Sequence, residues 1–208
     1  MEKRIGIIDY GAGNLFSIDN AVKKINRNRF ISSDPEKLKH SDFIIFPGVG
    51  SFSDGIINIR NSGLDEFICE FYNTGKPILG ICLGMQLLFE TGYEGGENNG
   101  IGLLKGKVEK LQHRNNSRIP HIGWNDVYGE NFNETNIMEG IPLGSSFYFV
   151  HSYHAVPAEP INLIYTDFYG QDIVAGVIKN NLIATQFHPE KSQIVGLKLL
   201  NNFVSLFP

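Results

Sequence analysis

Between Lys76 and Glu90 an apolar run, Pro77 to Ile81, passes straight into Gly80-Ile-Cys-Leu-Gly84 and then into Met85, Leu87, Leu88 and Phe89. The first part has the character of a buried strand, and the apolar spacing after it predicts a helix. A glycine, one residue, a nucleophile, one residue and a second glycine describe a strand-to-helix elbow, with Cys82 on the tight turn. The flanking glycines leave room where side chains would clash. Few folds accommodate such a stretch, because a buried strand must feed a helix directly. It also puts Cys82 at a helix start, where free N–H groups and the positive end of the dipole favour a thiolate and stabilise an oxyanion.

A buried cysteine between two packing glycines is the blander explanation. Gln186-Phe-His-Pro-Glu190, far along the chain, outweighs it. Alternation along a strand would put His188 and Glu190 on one side of the backbone. An imidazole base oriented by a carboxylate completes a Cys82-His188-Glu190 set for nucleophilic catalysis.

The rest of the chain frames these two segments. Arg4–Asp9 reads as a strand, and Gly11-Ala-Gly-Asn-Leu-Phe16 turns into a helix with apolar positions 15, 18, 22 and 25 on one face. This is not a dinucleotide fingerprint, since Phe16 stands where the third glycine belongs. Asp34 and Pro35 have the N-cap and first-position chemistry of a short helix. Asp42–Phe46 is a buried strand that runs into Pro47-Gly-Val-Gly50, whose glycines leave the peptide at Val49 free to turn over. Helices are expected around Asp54–Arg60 and Leu64–Tyr72, the second stopped by Gly75.

After Gly92 the pattern changes. The loop Tyr93–Gly100 leads to expected strands at Lys107–Leu111, Ile122–Tyr128, Ser146–Val150, Asn162–Phe168, Ile173–Lys179 and Leu182–Gln186. Ile194, Leu197, Leu200, Phe203 and Val204 mark a closing amphipathic helix. The expectation is an α/β fold, a central mostly parallel sheet flanked by helices with an added antiparallel layer, as one domain over residues 1–208. Active sites of such sheets lie beyond the carboxyl ends of the strands, where Gly48 and Cys82 both fall.

A content of 42% hydrophobic residues in 208 is enough for one substantial core. A net charge of −4 is too mild and of the wrong sign for a nucleic-acid or anionic-membrane surface. Two cysteines fit a reducing compartment better than a disulfide scaffold, and Cys69 has the surroundings of a small core residue. With no signal-peptide pattern before Arg4 and no membrane-spanning run, the expectation is a cytoplasmic protein. The histidines and cysteines show no zinc-site spacing, so no metal or cofactor is expected.

These segments, together with Ile8-Asp-Tyr-Gly-Ala-Gly-Asn14, Pro120-His-Ile-Gly-Trp-Asn125 and Tyr148-Phe-Val-His-Ser-Tyr153, make the chain resemble the class I, triad-type glutamine amidotransferases, with a flavodoxin-like sheet. Within that family it is similar to the glutaminase subunits of imidazole glycerol phosphate synthase, and the matching segments run nearly end to end. His154 is one departure, at a position where those subunits more usually carry an aromatic or another residue. A branch that supplies ammonia to surface-sugar amidination enzymes is almost as similar.

The resemblance implies that Cys82 attacks the carboxamide of glutamine while backbone amides at Leu83 and the Gly48–Val49 loop hold the oxyanion. It implies that Gln86 and Glu94 recognise the substrate, Glu94 through the α-amino group, assisted by backbone near Ser152 and Tyr153. Asn14, Trp124, Tyr148, His151 and Lys191 match positions that face or communicate with a synthase partner. That partner is a cyclase subunit, a (β/α)₈ barrel, held as a heterodimer. It would receive the ammonia, accept N′-phosphoribulosylformimino-AICAR-phosphate, and release imidazole glycerol phosphate and AICAR. A partner-independent cysteine hydrolase leaves the Trp124 and Lys191 segments without an explanation. A catalytically dead regulatory module is at odds with an intact Cys82, His188 and Glu190.

Overall fold

The computed structural model describes residues 3–25, 28–113, 117–129 and 136–206. The chain begins with β1 (Arg4–Ile8), α1 (Leu15–Lys24), β2 (Asn28–Ser32), α2 (Pro35–Leu38), β3 (Phe43–Gly48), α3 (Phe52–Asn61), α4 (Leu64–Asn73), β4 (Ile78–Cys82) and α5 (Leu83–Leu87). Strands then dominate: β5 (Phe89–Gly92), β6 (Asn98–Asn99), β7 (Leu104–Lys110), β8 (His121–Tyr128), β9 (Ser146–His151), β10 (Tyr153–Pro157), β11 (Asn162–Asp167), β12 (Asp172–Lys179) and β13 (Leu182–Thr185), before α6 (Gln193–Ser205). Local chemistry sets several of the boundaries. Asn14 caps α1 through its side chain, Asp34 caps α2 ahead of Pro35, and Ser51 caps α3.

The main sheet runs β2-β1-β3-β4-β13-β12-β11-β8-β9. Its pairings are parallel from β2 through β13 and antiparallel from β13 through β9. In β3 every residue is buried, and neighbours go to opposite sides. Phe43 and Ile45 join Ile18, Val22, Leu199 and Phe203 of α1 and α6, whereas Ile44 and Phe46 join Ile56, Ile59, Phe67 and Leu83 of α3, α4 and α5. Helices on both faces are what make such strands read as unbroken apolar runs.

Three expectations needed correction. The helix after the elbow stops at Leu87, and Phe89 opens β5, which pairs with β7 in parallel. Leu87, Leu88 and Phe89 are all fully buried, so their apolar pattern does not separate helix from strand. Their carbonyls are taken by Ile101, Leu104 and Gly102 from the following segment, which draws the chain out of the helix. Second, Tyr153–Pro157 is a strand that the sequence did not announce, paired antiparallel with β7. Third, β7 stands apart from the other expected late strands and does not join the main sheet. With β10, β5 and β6 it forms a separate four-stranded sheet in the order β10-β7-β5-β6. Among the described residues, no helix is long and apolar enough to cross a membrane.

Candidate active site

Cys82 ends β4 with φ 54° and ψ −109°, a backbone conformation that non-glycine residues seldom adopt. The positive φ therefore falls on the candidate nucleophile itself, while the glycines beside it serve packing. A Cβ on Gly84 would collide with the Phe46 carbonyl oxygen, and one on Gly80 would lie 2.9 Å from Leu88 and 3.2 Å from the Met85 Cα. These close approaches let α5 lie directly on β3 and β4. Strain of this kind persists only where the surroundings over-determine it.

Parallel pairing sets Gly48 opposite Cys82. A Cβ on Gly48 would collide with the Tyr10 hydroxyl and come within 2.9 Å of the Leu83 Cβ, so glycine is required here for space. Gly50 has φ +114° with nothing near its Cα substituent, so there the requirement is conformational. Val49, between them, is 39% exposed and borders the cavity in front of Cys82.

His188 and Glu190 meet as expected, but not through strand alternation. β13 ends at Thr185, and Glu190 lies in a single 3₁₀ turn, Pro189–Lys191. The turn brings Glu190 Oε1 to 2.7 Å from His188 Nδ1, with both side chains 2% exposed. The segment is pinned to β9: the His188 N–H donates to the Tyr148 carbonyl at 2.9 Å, and Ser192 Oγ donates to the His188 carbonyl at 2.6 Å. His188 Nε2 is buried and has no hydrogen-bond partner. Burial pulls the imidazole pKa down, but the interactions with Cys82 and with the Glu190 carboxylate outweigh it and push the value up to about 9.

The thiol has a second set of neighbours that the sequence reading passed over. Gln186 Nε2 donates to Cys82 Sγ at 3.6 Å, and Gln186 Oε1 accepts from Gln86 Nε2 at 2.9 Å. Gln86 Nε2 also donates to the Tyr153 carbonyl at 3.0 Å, which links the nucleophile to the far wall of the cavity. The available signal was parity, since Gln186 and His188 lie two residues apart just beyond one strand.

In front of Cys82 is a cavity of about 310 Å³ lined by Val49, Gly50, Cys82, Leu83, Gln86, Glu94, Val150, His151, Ser152, Tyr153 and Lys191. It gathers all four expected substrate-binding residues. Glu94 is half-buried, and its Oε2 accepts from the Phe52 N–H at 3.1 Å. Burial raises the Glu94 carboxyl pKa, opposed by that hydrogen bond and aided by nearby Asp54.

The five expected partner-facing residues do not stay together. Trp124 and Tyr148 are a cross-strand pair with ring centroids 5.9 Å apart, and Lys191 Nζ lies 5.7 Å from the Tyr148 ring centre. Trp124 is 47% exposed and Ile122, next on that face, is 59% exposed. Asn14 is exposed, with Oδ1 accepting from the Ser17 N–H. His151, by contrast, is buried, because it shares the inward parity of Phe147 and Phe149 on β9. Its Nδ1 donates to the Tyr153 carbonyl at 2.8 Å, and its Nε2 faces His121 Nδ1 at 3.0 Å. Burial first, and the neighbouring His121 next, push the His151 pKa down to about 3, so the ring is neutral. His151 is a wall of the cavity rather than a surface contact. Among the described residues, no three His, Cys, Asp or Glu side chains are grouped to hold a metal ion.

Residues 7–206 match the family model for glutamine amidotransferase class-I. The chain is 47% identical over 201 residues to the imidazole glycerol phosphate synthase subunit HisH of Pyrococcus furiosus, covering 96% of this chain and 97% of that protein. It is 42% identical over 206 residues to the protein of the same name from a Geobacillus species, covering 97% and 96% of the two chains. Among solved structures, PurLQS from Thermotoga maritima superposes with a TM-score of 0.79 at 22% identity, with both chains fully covered, which speaks for the fold alone. With a strained cysteine elbow, a sealed His-Glu pair and a family match over nearly its whole length, this chain belongs to the class I glutamine amidotransferases.

Proposed function

We propose that the chain is the glutaminase subunit of an imidazole glycerol phosphate synthase, acting in the cytoplasm as one domain and passing ammonia to a (β/α)₈ cyclase subunit. The observation that carries this reading is the buried His188–Glu190 pair beside the strained Cys82, with the imidazole pKa raised by both neighbours. Cys82 attacks the carboxamide carbon of glutamine. The N–H groups of Leu83 and Val49 hold the oxyanion, a single such donor being worth about 10²–10³ in rate. His188 gives its proton to the departing nitrogen, ammonia leaves, and a glutamyl thioester remains. The now neutral His188 takes a proton from water, whose oxygen attacks the thioester. Collapse releases glutamate and restores the thiolate–imidazolium pair. Glu190 keeps Nδ1 protonated throughout, which leaves Nε2 free for the transfers.

In the cavity, Glu94 takes the α-ammonium of glutamine and the backbone of Ser152–Tyr153 takes the carboxylate. Gln86 holds the Tyr153 carbonyl in place. The exposed Ile122, Trp124 and Asn14, with the half-buried Tyr148 and Lys191, form the surface for the barrel. Support for this acceptor comes from relatives of the same printed name at 40% to 47% identity over nearly the full chain.

The test is a steady-state glutaminase assay of the chain alone, with the cyclase barrel, and with barrel plus N′-phosphoribulosylformimino-AICAR-phosphate. Slow hydrolysis alone and a large rise in kcat in the full mixture are expected. Full activity without the barrel contradicts the reading, and activation only by a sugar-amidination synthase moves the chain to another pathway.

A further inference from the structure

Tyr10 follows β1 in the turn toward α1, and its ring packs 5.5 Å from that of Phe46. The residue is 5% exposed, yet its hydroxyl has no hydrogen-bond partner. Buried phenol hydroxyls normally find one, and an orphan costs stability. This one lies against Gly48, at the spot where a Cβ would sit. Tyr10 is not among the residues lining the cavity in front of Cys82, so its role is argued through Gly48 and not through contact with glutamine. Burial, with charge on Cys82 adding to it, raises the phenol pKa and keeps the group a neutral O–H donor.

A trans peptide carries its N–H and its C=O on opposite sides. If the Val49 N–H faces the oxyanion in the cavity, the Gly48 carbonyl must face away, toward the interior. A buried carbonyl needs a donor. The unclaimed donor beside Gly48 is the Tyr10 hydroxyl, and the open surroundings of Gly50 give this loop room to turn.

We propose that Tyr10 is a positioning residue whose hydroxyl donates to the Gly48 carbonyl while the Val49 N–H holds the oxyanion, so that the orphan of the resting state is satisfied in the working state. This rests on the glutaminase reading above. Such a hydrogen bond acts on the oxyanion and not on the thiol, which sets the test.

Tyr10→Phe is made in the full chain and assayed alone and with the synthase partner. The expected result is kcat for glutamine hydrolysis lower by about 10-fold, less than the loss of a direct oxyanion donor. KM for glutamine and the rate at which iodoacetamide alkylates Cys82, followed by peptide mass, each stay within about twofold, because neither needs an oxyanion hole. Thermal stability is expected to be equal or higher, since an unsatisfied hydroxyl has gone. Wild-type kcat overturns the proposal. So does a fall in kcat matched by an equal fall in alkylation, or a change confined to KM. Failure of the glutaminase reading looks different: Cys82→Ala would then still hydrolyse glutamine, whatever Tyr10→Phe does.

Discussion

The two halves of the nine-stranded sheet are built on different terms. β3, β4 and β13 are buried at every residue, with helices on both faces, and their carboxyl ends carry Gly48, Cys82 and the segment leading to His188. β8 and β9, at the other end of the same sheet, alternate between buried and open positions and leave Ile122, Trp124 and Tyr148 on an outer face. The doubly covered half tolerates strain, because its packing fixes every neighbour of Cys82. The half with an open face leaves aromatic side chains such as Trp124 at the surface. One sheet thus carries a sealed reactive end and an uncovered aromatic end.

Substitutions in the covered half should have the largest effects. His188→Ala is expected to lower glutamine hydrolysis by about 10⁴-fold or more with the fold kept, as read by kcat and circular dichroism. A loss below tenfold would remove His188 from the mechanism. Gly84→Ala drives a Cβ into the Phe46 carbonyl and should cost about 3 kcal/mol, measured by urea unfolding. Ile122→Ala, 59% exposed on the open face, should stay within about 0.5 kcal/mol. Equal costs for these two would erase the contrast between the halves.

Glu190→Gln should lower kcat by about 10–100-fold, less than loss of the imidazole, because a hydrogen bond to Nδ1 survives without the charge.

How far the sequence reached follows the same division. Continuous apolar runs announced β3 and β4, and the elbow glycines announced how α5 packs, because those signals are local. The meeting of His188 and Glu190 was also legible, although a 3₁₀ turn and not a strand brings them together. Phe89 was misread as helical because a fully buried segment looks the same in either conformation. Its strand identity comes from its pairing with Leu104 in the second sheet. β10 was missed for a similar reason, since its pairing with β7 lies far away in the chain. His151 could have been placed inside, by its parity with Phe147 and Phe149. Gln186 was quoted and given no task because its link to Gln86 spans 100 residues.

The two halves also contribute histidines of opposite sign. His188, raised to about 9, contributes stability that is fully present below about pH 6.5 and is lost as pH rises through about 9. His151, lowered to about 3, contributes stability present above about pH 6.5 and lost as pH falls toward 3. Urea midpoints across pH should therefore decline on both sides. Cys82→Ser, which removes the sulfur that helps raise the His188 pKa, should shift the alkaline decline to lower pH, and His151→Gln should flatten the acid one. An unchanged alkaline limb in Cys82→Ser would contradict the coupling of His188 to Cys82. The smallest effect on the isolated chain is expected from Trp124→Ala: glutaminase activity of the chain alone within about twofold, with affinity for the barrel weakened by about tenfold or more in titration calorimetry.

The central claim is that the transferred nitrogen is released from glutamine by attack of the Cys82 thiol, and that this chain's triad does nothing else. It is tested most directly by Cys82→Ala assembled with the cyclase barrel and its phosphoribosyl acceptor, with product formation followed in parallel on glutamine and on ammonium well above neutral pH. The account predicts imidazole product from ammonium at a rate comparable to the unmodified complex, and none from glutamine. Product from glutamine in the Cys82→Ala complex would contradict it.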